Sequence, residues 1–135
     1  MNKIEHIGIA VKNIDEANKL WSLLLNTKPY KQEVVENQGV ITSFFKTGDS
    51  KIELLASAKP DSAIARFLEK RGEGIHHIAF DVTDIDAEIK RLEKNGFELI
   101  NKTAEPGADN KVIAFLHPKS SNGVLVELCM EAKNE

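Results

Sequence analysis

Two stretches of this chain repeat one another. Residues 4–19 begin Ile4-Glu5-His6-Ile7-Gly8-Ile9-Ala10-Val11, and residues 75–90 begin Ile75-His76-His77-Ile78-Ala79-Phe80-Asp81-Val82. Later in each half a second echo appears, Lys51-Ile52-Glu53-Leu54-Leu55 against Leu125-Val126-Glu127-Leu128-Cys129. Each half therefore carries one histidine near its first strand and one glutamate on its last. A duplicated chain must bring its copies to one core, and two imidazoles with two carboxylates make a coordination set for a divalent metal.

Length and charge narrow the classes. A chain of 135 residues is expected to be one domain, 1–135. The repeat divides it into module one (about 1–58), a linker helix (about 60–72) and module two (about 73–135). With a net charge of −3 and scattered lysines it offers no nucleic-acid surface. One cysteine excludes an intrachain disulfide and fits a reducing compartment. The chain runs straight into Ile4-Glu5-His6 with no signal-peptide pattern, and no apolar stretch is long enough for a membrane helix, so the expected location is the cytoplasm.

The local patterns give the same plan twice. Ile4–Val11 is short, apolar and β-branched, hence a strand, with Ile4, His6, Gly8 and Ala10 on one face and Ile7, Ile9 and Val11 on the other. Asn13 or Asp15 can cap the next helix, where Ala17, Leu20, Trp21 and Leu24 fall at helical spacing. Strands are expected near Lys31–Glu36, Val40–Lys46 and Lys51–Ala56, then a short helix with Ile64, Phe67 and Leu68 inward. Module two repeats this with a strand at Ile75–Val82 and a helix lined by Ile85, Ile89 and Leu92 that stops near Asn95-Gly96. Further strands are expected near Phe97–Asn101, Lys111–Leu116 and Gly123–Met130. The fold class is α+β: two tandem βαβββ modules forming a cupped sheet around a central metal site, with helices on the outer faces.

His6, Glu53, His77 and Glu127 all fall in the middle of strands, on faces expected to line the cup. A single strand histidine is more often a hydrogen-bonded core residue, and a single glutamate more often faces water. Four at duplicated positions reverse that reading, because burying two uncompensated carboxylates is costly and a metal offsets it. Imidazole and carboxylate together suit Zn, Co, Ni, Fe or Mn better than Ca. His76 points to the opposite face and reads as structural. Cys129 shares the Glu127 face and reads as a small buried hydrophobe. His117, in a turn before Pro118, is either a substrate contact or a solvated loop residue.

The His/Glu/His/Glu pattern on paired βαβββ modules resembles the vicinal oxygen chelate superfamily, which includes glyoxalase I, extradiol dioxygenases and antibiotic-resistance proteins. Within it the chain is similar to the methylmalonyl-CoA epimerases over nearly its whole length. The likeness is carried by Gln38-Gly39-Val40, by Asp61-Ser62-Ala63-Ile64-Ala65-Arg66-Phe67-Leu68 and by Gly74-Ile75-His76-His77. The most specific piece is Phe115-Leu116-His117-Pro118-Lys119 followed by Gly123-Val124-Leu125-Val126-Glu127-Leu128. The resemblance implies interconversion of (2R)- and (2S)-methylmalonyl-CoA through an enolate. It implies one divalent ion on His6, Glu53, His77 and Glu127: cobalt first, with zinc, nickel, manganese or magnesium as alternatives.

By the same resemblance Glu127 is a ligand that doubles as a base, and Glu53, where some members carry Gln, either alters metal preference or supplies the second base. Gln38, His117 and Lys119 are the implied substrate contacts, Lys119 toward the phosphates of coenzyme A. Some epimerases carry a further glutamate on the strand after the Gln-Gly-Val turn, whereas this chain reads Val40-Ile41-Thr42-Ser43 there. Relatives commonly form homodimers, and a homodimer is expected here. Neither a nucleic-acid nor a membrane partner is expected.

Two other functions remain open from the residues. Glyoxalase I uses the same four ligands, but it needs contacts to a tripeptide, and Lys12 and Lys19 form no convincing site for one. A non-catalytic drug-binding protein would line its cleft with aromatics, and this chain has only 6% aromatic residues.

Overall fold

In a computed structural model, which describes residues 1–133, the order of elements is βαβββ twice with a helix between. The elements are β1 (Lys3–Ala10), α1 (Ile14–Leu25), β2 (Lys31–Val35), β3 (Val40–Thr47), β4 (Ser50–Ser57), α2 (Ala63–Arg71), β5 (Gly74–Asp81), α3 (Ile85–Lys94), β6 (Glu105–Pro106), β7 (Lys111–Leu116) and β8 (Val126–Glu131). The class is mixed α+β, as the repeat implied. No helix among the described residues is long and apolar enough to cross a membrane.

The chain forms two compact units. One is His6–His76; the other joins Met1–Glu5 to the chain from His77 onward. In the first, the strands lie in the order β2-β3-β4-β1, with β1 parallel to β4 and the other pairs antiparallel. In the second, the order is β5-β8-β7-β6, with β5 parallel to β8 and the other pairs antiparallel. A parallel pair needs a crossover, and in each unit the crossover includes the helix after the first strand. The N-terminal residues reach into the second unit: the Asn2 amide donates to the Asp81 carbonyl at 2.9 Å, and its side chain donates to Asp81 Oδ2 at 2.9 Å and Thr83 Oγ1 at 3.1 Å.

Each helix starts where a short polar side chain can receive an orphan N–H. Asn13 accepts from the Glu16 amide, Ser62 from Ala65 and Asp84 from Ala87. α3 turns Ile85, Ile89 and Leu92 inward onto Leu116 and Leu128, as its periodicity predicts. α1 differs from expectation. Its inward stripe is Ile14, Ala17, Trp21 and Leu25, packed on Val11, Phe45 and Leu54, while Leu20 and Leu24 are exposed. Ala17 and Trp21 fix the phase, and steps of three and four residues from them reach Ile14 and Leu25, leaving the other leucines outside.

A second difference lies at 97–101, where an extended strand was expected. Here an isolated bridge joins Leu99 to Leu116 of β7, flanked by backbone bonds from Ile100 to the Phe115 carbonyl and from His117 to the Glu98 carbonyl. Asn101 breaks the ladder by lending its side-chain oxygen to the Phe115 amide at 2.8 Å, and the pairing resumes at β6. The remaining strands match their expected positions to within a few residues.

Cys129 is fully buried in the second unit beside Ala79 and Ile113. Burial, reinforced by the charges of Glu127 and Glu5, holds its thiol far above the usual cysteine range. We expect iodoacetamide at pH 8 to label Cys129 in the folded protein at least about 100-fold more slowly than in denaturant, read by mass spectrometry. Leu92→Ala should lower unfolding stability by about 2–5 kcal/mol in urea titrations, because the truncated side chain is buried in the core cluster with Leu116 and Leu128. Leu23→Ser, at a site 84% exposed, should change it by less than about 0.5 kcal/mol.

Candidate functional site

Strand register sets the faces. In the first unit Glu53 lies opposite Phe44 on β3 and opposite Gly8 on β1, so these residues share a face with His6, two residues before Gly8. The glycine puts no side chain beside the carboxylate. His6 Nε2 lies 3.2 Å from Glu53 Oε1, and both side chains are 6% exposed. The imidazole also stands edge-on to Phe44, with ring centroids 6.5 Å apart at 85°.

The second unit repeats this arrangement with its own residues. Glu127 lies opposite Phe115 on β7 and opposite Ala79 on β5. His77 Nε2 is 3.0 Å from Glu127 Oε1, with both side chains again nearly inaccessible. Phe115 stands edge-on to His77 at 5.7 Å and 85°. In each unit, then, one imidazole nitrogen and one carboxylate oxygen meet in a buried place, with an aromatic edge on one side and a small residue on the other.

Imidazole nitrogen and carboxylate oxygen are ligands of divalent transition metals. Each pair is short of a complete shell, since two donors cannot satisfy an ion alone. A carboxylate buried this deeply needs a positive partner, either a protonated imidazole or an ion. The donor chemistry of both pairs therefore fits a divalent metal.

The other residues singled out in the sequence lie elsewhere. Gln38 is in the β2–β3 turn, where its amide donates to the Val35 carbonyl at 3.1 Å. Gly39 follows with φ +65, and a Cβ there would come within 3.2 Å of Ser62, so the turn requires glycine. His117 caps a single 3-10 turn at Pro118–Ser120, its Nδ1 accepting from the Lys119 amide at 3.2 Å. Lys119 Nζ is 2.6 Å from Glu98 Oε2, and the hydrogen bond from this ammonium is the first cause holding the Glu98 carboxyl below its ordinary range. His76 packs edge-on against Phe67 of α2 at 4.9 Å, on the helix side, as its alternation predicts.

The sequence reading overlooked Phe44 and Phe115. Both sit directly opposite a paired glutamate, and that placement emerges only once strand register is known.

The model of the Glyoxalase/Bleomycin resistance protein/Dioxygenase superfamily matches residues 5–115. The ethylmalonyl-CoA/methylmalonyl-CoA epimerase of Cereibacter sphaeroides is 37% identical, over 95% of this chain and 97% of its own. The mitochondrial methylmalonyl-CoA epimerase of Homo sapiens is 34% identical, over 95% of this chain and 73% of its own. A solved structure of Streptomyces coelicolor methylmalonyl-CoA epimerase in complex with 2-nitronate-propionyl-CoA superposes with a TM-score of 0.93 at 35% identity, covering 100% of this chain and 98% of that one. The chain belongs to the glyoxalase/bleomycin resistance protein/dioxygenase superfamily and, within it, to the methylmalonyl-CoA epimerases.

Proposed function

We propose that this protein is a metal-dependent epimerase that interconverts (2R)- and (2S)-methylmalonyl-CoA. The observation that carries the reading is the pair of matching buried His–Glu sites, His6 with Glu53 and His77 with Glu127, in a chain of this family. We assign all four side chains to one divalent ion, cobalt in preference to zinc, nickel, manganese or magnesium. When bound, the ion would supply a fixed positive charge that polarises the thioester and makes the C2 proton more acidic.

The chain's own groups then have distinct tasks. The proton on C2 is weakly acidic because the adjacent thioester can take up the electron pair. A carboxylate positioned against that C–H receives the proton, leaving a planar enolate, and a proton delivered to the opposite face gives the other configuration. We assign proton transfer to Glu127, with Glu53 as the other carboxylate of the site. Their burial beside Phe44 and Phe115 keeps bulk water away from the carbanionic carbon. Gln38 and His117 are assigned to substrate orientation. Lys119 is assigned to the coenzyme A phosphates, exchanging its exposed pairing with Glu98, which contributes little to stability.

In deuterium oxide the metal-loaded protein should wash deuterium into C2 of (2R)-methylmalonyl-CoA while inverting it, followed by proton NMR. No exchange above the uncatalysed rate, together with turnover of methylglyoxal and glutathione, would replace this reading by glyoxalase I. Glu127→Gln should lower turnover at least about 100-fold and reduce bound metal below one ion per chain by elemental analysis. Wild-type rates in that variant would place the site elsewhere. Lys119→Ala should raise KM for the CoA thioester several-fold with kcat within about twofold, since a phosphate contact is made equally in ground and transition states.

A further inference from the structure

Inversion at a planar carbon needs a proton-transfer group on each face, and a carboxylate is the group this site is built from. On the β2-β3-β4-β1 sheet, one row across the His6 face runs Lys31, Phe44, Glu53, Gly8, and the next runs Glu33, Thr42, Leu55, Ala10. Where some epimerases carry a glutamate after the Gln-Gly-Val turn, this chain offers Thr42 and Ser43. Thr42 lies on the correct face but has only an alcohol, too weakly basic to take a carbon acid's proton. Ser43 faces the other way, opposite Leu54, with its hydroxyl buried and without a hydrogen-bond partner.

One strand further out, directly opposite Thr42, stands Glu33. Among the described residues, Glu33 and Glu53 are the carboxylates that the strands of this sheet carry on the His6 face. Strand spacing and rise put their Cα atoms about 12 Å apart. A gap of this size leaves room for a substrate carbon between the Glu33 side chain and the first unit's His–Glu site. The row between them is small or apolar, with Thr42, Leu55 and Ala10 offering no competing base. Glu33 is partly open, at 29% side-chain exposure, and Lys31 Nζ lies 3.5 Å from its Oε1. An ion pair this exposed adds little to folding, but it steers the carboxylate and keeps a cation beside it.

We propose that Glu33 is the second proton-transfer residue of this epimerase, replacing the carboxylate missing at Thr42; the proposal rests on the epimerase reading above. In one direction the C2–H bond breaks, its proton passes to the Glu33 carboxylate and its electron pair enters the enolate. A protonated carboxyl of the His–Glu sites then gives its proton to the opposite face, forming the new C–H bond and becoming a carboxylate. The reverse direction exchanges the roles, solvent resets both groups, and nothing is oxidised or reduced.

The test follows deuterium entry at C2 for each enantiomer separately, using the metal-loaded protein and its Glu33→Gln and Glu33→Asp variants. Glu33→Gln should slow epimerisation at least about 100-fold while keeping full metal content and the wild-type urea midpoint. It should still exchange the C2 proton of one enantiomer, with retention and within about tenfold of the wild-type rate, and lose exchange for the other. Glu33→Asp should restore part of the inversion. Equal loss for both enantiomers, or wild-type inversion in Glu33→Gln, would overturn the assignment while leaving the epimerase reading standing. Absence of exchange in the wild-type protein would remove both.

Discussion

A carboxylate on the inward face of a buried strand must find a positive partner, and the structure answers that requirement twice with the same arrangement. Taking such a group out of water costs several kcal/mol after relaxation, more than one well-packed leucine returns. Much of the surrounding architecture accommodates this expense. A histidine on the strand parallel to each glutamate supplies the partner. A glycine or alanine beside the glutamate keeps the neighbouring side chain small. A phenylalanine on the antiparallel neighbour walls the imidazole. The helix-side faces carry the apolar area that makes the whole affordable.

Duplication preserved the His–Glu pairs and their phenylalanine walls but not the row beyond them. In the His6–His76 unit the row beyond the glutamate is Glu33, Thr42, Leu55 and Ala10. The corresponding row of the other unit is Glu105, Ile113, Cys129 and Asp81. One half sets Glu33 beside Thr42 and Leu55; the other sets Glu105 and Asp81 around a buried thiol, with the Lys111–Glu131 ion pair at its rim. An asymmetric substrate such as an acyl thioester requires this kind of divergence, since its reacting carbon and its long carrier arm make different demands on two halves that began alike.

The repeat itself was legible because strand alternation and histidine placement survive in one dimension. Alternation alone placed His6, Glu53, His77 and Glu127 within strands and sent His76 to the helix side, where it meets Phe67. What alternation does not contain is register between strands. That is why Phe44 and Phe115 went unnoticed although each lies directly opposite a paired glutamate. The phase of α1 was misjudged for a related reason: with leucines at 20, 23, 24 and 25, several stripes are equally greasy, and only packing under Trp21 chooses among them. At 97–101 an apolar run suggested a strand, but the Asn101 side chain took the hydrogen bond that a strand's backbone would have used. Lys119 was read as free to meet a ligand, and nothing in the local pattern announces Glu98 as its neighbour.

The division of the chain does not follow the order of its residues. Met1–Glu5 belong with the half that begins at His77, held there by the Asn2 bonds to Asp81 and Thr83. The halves therefore cannot be separated by a cut between His76 and His77. A downstream fragment would lack its opening segment, and an upstream one would carry five residues stripped of their companions.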